Sequence, residues 1–207
     1  MNIGLLGCGV VGGGIMDFCA ERTDLHVTKV LVRRERPELG DRAVTDIGAI
    51  TGDDDIGIVI EVMGGLHPAY EYICQALRSG KHVVTANKAV ISAFYPELTR
   101  LAAENGVTLR CTAAVGGGIP WLTNLERCKR LDAICEIGGI MNGTTNFIMD
   151  AMHAAPVSFP AILKQAQELG YAEADPSADI DGDDVRRKLT ISANVAFDAL
   201  IREEDIP

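Results

Sequence analysis

Short apolar runs alternate with longer amphipathic stretches from Asn2 to Cys111, a rhythm that predicts strands and helices in succession. Asn2–Leu6 reads as a buried strand that runs directly into a glycine-rich turn. A helical pattern follows from about Gly12 to Glu21, with Ile15, Phe18 and Cys19 sharing one face, and Val27–Val32 is the next strand. The same alternation gives a strand at Ile56–Val62, a helix at Pro68–Ser79 stopped by Gly80, and a strand at His82–Thr85. A helix at Pro96–Asn105, closed by Gly106, and a strand at Val107–Cys111 complete the series. This order predicts an α/β fold, a doubly wound parallel sheet with right-handed crossovers, over residues 1–114.

Beyond Cys111 the pattern changes. Gly116–Pro120 reads as a hinge-like loop, followed by a helix at Trp121–Cys128, a strand at Ile134–Met141, and helices at Thr144–His153 and Ser158–Leu169. The acidic stretch Glu173–Asp184 reads as a loop, and Val185–Leu200 as a closing amphipathic helix. One strand cannot cover both of its faces alone. Residues 115–207 are therefore expected to form a partial α+β domain, with the chain stopping inside it.

Gly7-Cys8-Gly9-Val10-Val11-Gly12 is a G-x-G-x-x-G turn between a strand and a helix, inside a βαβ unit. That context makes it the fingerprint of a Rossmann-type dinucleotide site. The first glycine permits the tight turn, the second lets backbone approach a pyrophosphate, and the third lets helix and strand pack closely. The anion then lies against free N–H groups at the positive end of the helix. Gly13 and Gly14 each cost a helix on the order of 1 kcal/mol relative to alanine, which is understandable where backbone meets a ligand or a strand. Where such sheets bind NAD, an acid at the end of the second strand holds the ribose 2′-hydroxyl; here Arg33 and Arg34 stand there. A guanidinium suits a 2′-phosphate, which favours NADP over NAD. Gly80-Lys81-His82 lacks the loop and hydroxyl of a P-loop, which argues against nucleotide hydrolysis.

Composition narrows the partners. A net charge of −10 excludes nucleic acid as the main partner. No run reaches the ~18 apolar residues that cross a bilayer, and Ile3–Leu6 is too short for a signal-peptide core, so a cytoplasmic protein with no membrane partner is expected. The six cysteines form no C-x-x-C pair, which argues against a zinc knuckle and fits reduced thiols. Asp179 and Asp181 ahead of Gly182 invite a calcium-loop reading, but Lys188 would fall where the bidentate carboxylate belongs. Asn142-Gly143-Thr144 matches a glycosylation acceptor and reads better as a tight turn feeding a helix.

Four further stretches carry a resemblance. They are Thr85-Ala86-Asn87-Lys88-Ala89, Val115-Gly116-Gly117-Gly118-Ile119-Pro120, Asn142-Gly143-Thr144-Thr145-Asn146, and the segment Gly170–Leu189 (GYAEADPSADIDGDDVRRKL). With the glycine turn they make nearly the whole chain resemble homoserine dehydrogenase. The resemblance implies interconversion of L-homoserine and L-aspartate 4-semialdehyde with NADP or NAD, on the route to threonine and methionine. It also implies a homodimer in the full-length form, which continues well past this chain's end. A small amino-acid substrate and a cofactor would then meet at named residues. The family pattern puts the acid/base role on Lys188, and substrate contacts on Glu173, Asp179 and Asp184. Lys88 would touch both substrate and nicotinamide, beside Thr85 and the turn residues Gly7, Gly9, Val10, Val11 and Gly12. Carbonyls of Val115, Gly117 and Ile119 would hold a monovalent cation such as sodium, although Thr112 stands where the family commonly carries glutamate.

The residue chemistry runs parallel to that resemblance. Oxidising an alcohol needs a group that takes up the hydroxyl proton. Lys188 lies four residues after Asp184, so a helix projects both from one face. A free lysine titrates near ~10.4, so an acid/base lysine needs desolvation or a cationic neighbour, which Lys88 would supply. Two or more carboxylates suit a substrate carrying an ammonium group. A non-catalytic NADP-binding fragment of such an enzyme is the alternative. An aldehyde-oxidising relative would need a thiol nucleophile, and no cysteine sits in such a motif.

Overall fold

The computed structural model describes residues 1–34, 36–172 and 175–206. They divide into two compact units, Met1–Asn124 and Leu125–Pro207. The first is built on strands β1 (Asn2–Leu6), β2 (His26–Leu31), β3 (Ala43–Val44), β4 (Ile56–Glu61), β5 (His82–Thr85) and β6 (Leu109–Arg110). Every neighbouring pair is parallel, and the order is β3-β2-β1-β4-β5-β6. Connections leave β1 toward β2 on one side, and the chain then crosses to β4 on the other. The carboxyl ends of β1 and β4 therefore mark a switch point, where doubly wound sheets bind ligands.

Helices α1 (Val10–Ala20), α2 (Gly48–Thr51), α3 (Ala69–Arg78) and α4 (Lys88–Glu104) cover the sheet. Ile3 and Leu5 of β1 and Val27 and Val30 of β2 are buried with Cys19 of α1, against Ile15 and Met16. Phe18 does not join them. It is 57% exposed, with the Arg22 guanidinium 5.5 Å from its ring centre, because the buried face of α1 runs through Ile15, Met16 and Cys19.

The helix expected to begin at Pro96 begins two turns earlier. Asn87 caps α4 with a side-chain oxygen that accepts the Val90 N–H at 3.3 Å. The helix then breaks at Phe94 (φ −131°, ψ 16°). Proline lacks an N–H and its ring presses on the carbonyl four residues back, so a break just upstream lets it re-enter a helix. The Phe94 ring packs on Tyr70 of α3 at 4.1 Å between centres, and the Tyr70 phenol donates to Glu97 at 2.5 Å. That hydrogen bond holds the phenol well above the usual tyrosine range.

The second unit contains α5 (Trp121–Lys129, which starts just before it), α6 (Gly143–Ala154), α7 (Phe159–Glu168), α8 (Ser177–Ile180) and α9 (Asp183–Phe197). Ile148 of α6 packs on Ile162 and Ala166 of α7, with Ala172 beyond. The strand expected at Ile134–Met141 does not form. An extended segment becomes a strand only when a neighbour takes its N–H and C=O groups, and the described residues contain only the sheet of the first unit. Ile140 is accordingly exposed. The expected acidic loop contains the short helix α8, and α9 stops at Phe197 rather than Leu200. Asp198 turns left-handed there (φ 49°), and the Lys129 amine donates to the Val195 carbonyl at 2.8 Å and pairs with the Asp198 carboxylate. A cation on the last free carbonyls is a favourable helix stop.

Candidate functional site

One candidate site is the carboxyl edge of the sheet in the first unit. Gly7 sits at φ +95°, a region that L side chains avoid, and a Cβ there would lie 3.1 Å from the Val62 carbonyl oxygen. A Cβ on Gly12 would lie 2.4 Å from the Gly7 carbonyl, so only glycine lets α1 start this close to β1. Gly9 differs: its Cβ position meets nothing within 4 Å, and as the residue capping α1 it offers no side chain to the helix N–H groups. These are the properties of a pyrophosphate cradle, and a dinucleotide fits them. Val10 and Val11 in the first turn are 95% and 57% exposed. Gly13 and Gly14 also meet nothing within 4 Å, so packing inside the protein does not require them, contrary to the strand-contact explanation. Arg33 and Arg34 are exposed just past the end of β2.

Register pairs Leu6 with Glu61 and Glu61 with Thr85 across β1, β4 and β5. The Glu61 side chain is wholly buried, and neutral donors surround it. The Thr85 hydroxyl reaches one carboxylate oxygen at 2.5 Å, and the other accepts the Met63 N–H at 2.8 Å and the Asn87 amide at 3.3 Å. Asn87 also donates to the Gly65 carbonyl at 2.7 Å. Three strand ends and the start of α4 are thereby tied together, and Lys88, half-buried, is the first residue of that helix.

Val115, Gly117 and Ile119 lie in a turn with Gly116 and Gly117 at positive φ. The Ile119 carbonyl accepts the Trp121 N–H at 2.7 Å. Thr112 brings no charge, and no group of three metal-ligating side chains occurs among the described residues.

A separate cluster of candidate residues lies in the second unit. Asp184 and Lys188 form an ion pair of 2.6 Å on one face of α9, with side chains only 9% and 16% exposed, unlike a solvated surface pair. The Lys188 amine also donates to the Met141 carbonyl. Asn142 caps α6, its oxygen accepting the Thr145 N–H at 2.8 Å. Its amide donates to Asp179 at 2.7 Å and to the Asp184 oxygen that also takes Lys188, at 3.0 Å. The Thr144 hydroxyl lies 2.8 Å from the second Asp179 oxygen and 2.7 Å from the Tyr171 carbonyl, sharing one proton between them. The Asn142–Thr145 turn thus feeds a helix, as expected, and also gathers the acids. Glu173 lies outside the described residues.

Glu61, Asn87, Met141 and Asn142 were not marked by sequence reasoning. A charged residue in the apolar strand IGIVIEV signals a buried, satisfied acid, and each asparagine stands directly before a helix, where it is a strong cap.

A parallel sheet with an open glycine turn at its switch point defines an α/β protein of the nicotinamide-dinucleotide-binding class. Residues 7–112 match a family model described as homoserine dehydrogenase, NAD binding domain, and residues 120–207 match one described as homoserine dehydrogenase. The chain belongs to the homoserine dehydrogenase family. It is 43% identical to the homoserine dehydrogenase of Synechocystis sp. and 39% identical to that of Bacillus subtilis, over all of this chain and 50% and 51% of theirs. A crystal structure of a homoserine dehydrogenase from Thiobacillus denitrificans matches with a TM-score of 0.90 at 37% identity, covering 99% of this chain and 50% of that one. A hyperthermophilic archaeal homoserine dehydrogenase in complex with NADPH matches with a TM-score of 0.84 at 27% identity, over 94% of this chain and 69% of that one. The chain spans about half the length of the curated relatives it matches. No helix among the described residues is long and apolar enough to cross a membrane.

Proposed function

We propose that this chain carries the dinucleotide site and the proton-transfer residues of an NADP-linked homoserine dehydrogenase. Residues 1–114 are the nucleotide domain and 115–207 part of the substrate domain. The observation that carries the reading is the largely buried Asp184–Lys188 pair on α9, beside Asp179. Bound NADP would supply the hydride acceptor. In its neutral form Lys188 takes the proton of the substrate hydroxyl as its carbon is oxidised, and as the ammonium ion it returns that proton in the reverse direction. Asp184 orients the amine, while Asp179 and Glu173 meet the ammonium group of the amino-acid substrate. Lys88, at the edge where Thr85 ends β5, meets the nicotinamide end and the substrate. Arg33 and Arg34 take the 2′-phosphate, a preference in line with the NADPH named for the archaeal relative. The same reading makes the protein cytoplasmic, a homodimer in the full-length form, on the route from aspartate to threonine and methionine.

The test mixes the polypeptide with L-homoserine and NADP and follows the absorbance of the reduced cofactor. Lys188→Met should abolish turnover and leave NADPH binding intact; near-normal turnover would refute the assignment. Arg33→Asp should lose most of the preference for NADP over NAD in a binding titration, and an unchanged ratio removes Arg33 from the site. The half-length match favours a second reading, in which the chain binds NADP without turnover. Cofactor binding with no absorbance change in the unmutated chain selects that one.

A further inference from the structure

We infer that Asn142 is a positioning residue that fixes the ionic state of the Asp184–Lys188 pair. The inference rests on the reading of Lys188 as the proton carrier. Every hydrogen-bonding atom of the Asn142 side chain is used. Its oxygen accepts the Thr145 N–H at 2.8 Å and the Thr145 hydroxyl at 3.0 Å, which locks the amide plane to the start of α6. Both amide protons then point at acids, one to Asp179 at 2.7 Å and one to Asp184 at 3.0 Å. The neighbouring Met141 carbonyl takes the Lys188 amine. One dipeptide therefore grips both members of the ion pair, the anion through a side chain and the cation through backbone.

The chemistry explains why an asparagine is suited to this place. Two carboxylates drawn together repel, and a shared pair of amide donors lets both stay ionised without a second cation. The Asp184 oxygen that takes the amide is the one that takes the amine, so the amide competes for the same lone pairs and tempers the hold of Asp184 on the proton of Lys188. The described charged groups that meet this network are Asp184 on α9 itself and Asp179 on α8. Arg186 and Arg187 pair elsewhere, with Asp183 and Glu203.

Aspartate and serine both cap helices about as well as asparagine. Asn142→Asp and Asn142→Ser therefore keep the start of α6 while removing the two donors, and the aspartate adds a third negative charge. The readout is the carbon-13 shift of the Lys188 side-chain Cε against pH, in protein carrying labelled lysine and assigned with Lys188→Arg. We expect the Lys188 transition of Asn142→Asp to move up by about one pH unit, the ordinary effect of one nearby opposite charge. Asn142→Ser should move it in the same direction by less, as the competing donor is lost. The alkaline limb of the pH–rate profile should shift with it in any longer form that turns over. An unmoved Lys188 transition in a folded variant overturns the inference, whatever the activity. If Asn142→Asp does not fold, Asn142→Ser alone decides. A shifted transition with no turnover in the parent protein supports the inference and counts instead against the proposed function.

Discussion

Asn87 and Asn142 are built alike in two units that share no sheet. Each ends an extended segment and caps a helix with its side-chain oxygen, and each turns its amide toward a buried carboxylate. Their surroundings differ in one respect. The Glu61 carboxylate at Asn87 is met by a hydroxyl, a backbone N–H and an amide, all neutral. The Asp184 carboxylate at Asn142 is met by an ammonium group as well. A charge held by fixed dipoles alone is a clamp, since nothing beside it exchanges a proton in the working range. A charge held against a lysine can follow that lysine through a proton transfer. The first arrangement suits a rigid sheet edge, and the second suits the proton-transfer role proposed for Lys188.

Removing charge from each site separates the two arrangements, and the larger effect belongs to the pair. Asp184→Asn leaves the Lys188 ammonium half-buried with the Met141 carbonyl and no counter-charge, a loss of about 2–3 kcal/mol for breaking a largely buried pair. Urea unfolding of the variant against the parent chain measures it. Glu61→Gln should cost only about 1 kcal/mol by the same measurement, because donors can be rearranged around a neutral amide. The glutamine oxygen still accepts from Met63 and Asn87, and the Thr85 hydroxyl turns to accept from the new NH2 group. A larger cost for Glu61→Gln than for Asp184→Asn would end the distinction between clamp and exchanging pair.

The clamp and the pair were not equally legible in the sequence. The alternation of apolar runs located β1, β2, β4 and β5, and the glycine turn located the switch point, because both are local signals. The two-residue strand β3 and the single-turn α2 carry too few positions for any period to register. The first two turns of α4 were missed because Pro96 is the stronger punctuation, although Asn87 is the actual cap. Ile134–Met141 has strand-like composition, but pairing depends on a neighbour that composition does not disclose. At the site, the family resemblance marked Asp184 and Lys188, and their four-residue spacing, one helical turn, placed both on one face. The bonds from Asn142 to Asp179 and Asp184 join residues 37 and 42 positions apart, and no spacing rule reaches that far.

A half-buried ion pair in the first unit, more open than Asp184–Lys188, gives the comparison its lower bound. Lys29 of β2 meets Asp53 at 2.8 Å and the Ala49 carbonyl at 2.7 Å, with the two charged side chains 30% and 25% exposed. The hydrogen bond from Lys29 is the main reason that Asp53 sits below the usual carboxylate range. A carboxyl whose folded value is depressed adds stability above its unfolded value, near pH ~4, and that stability fades as pH falls through the folded value. Lys29→Met should therefore narrow its gap to the parent chain as urea midpoints are taken from neutral pH down to about pH 3. The lost Ala49 contact contributes an offset that does not change with pH. Salt near 1 M should shrink the gap at neutral pH as well, because the Debye length falls to about 3 Å. The Asp184→Asn loss should resist that salt, since its pair is shielded from solvent ions. A gap for Lys29→Met that stays constant across the acid range would show that the pair acts by packing and not by charge, and exposure would then no longer explain why the two ion pairs differ.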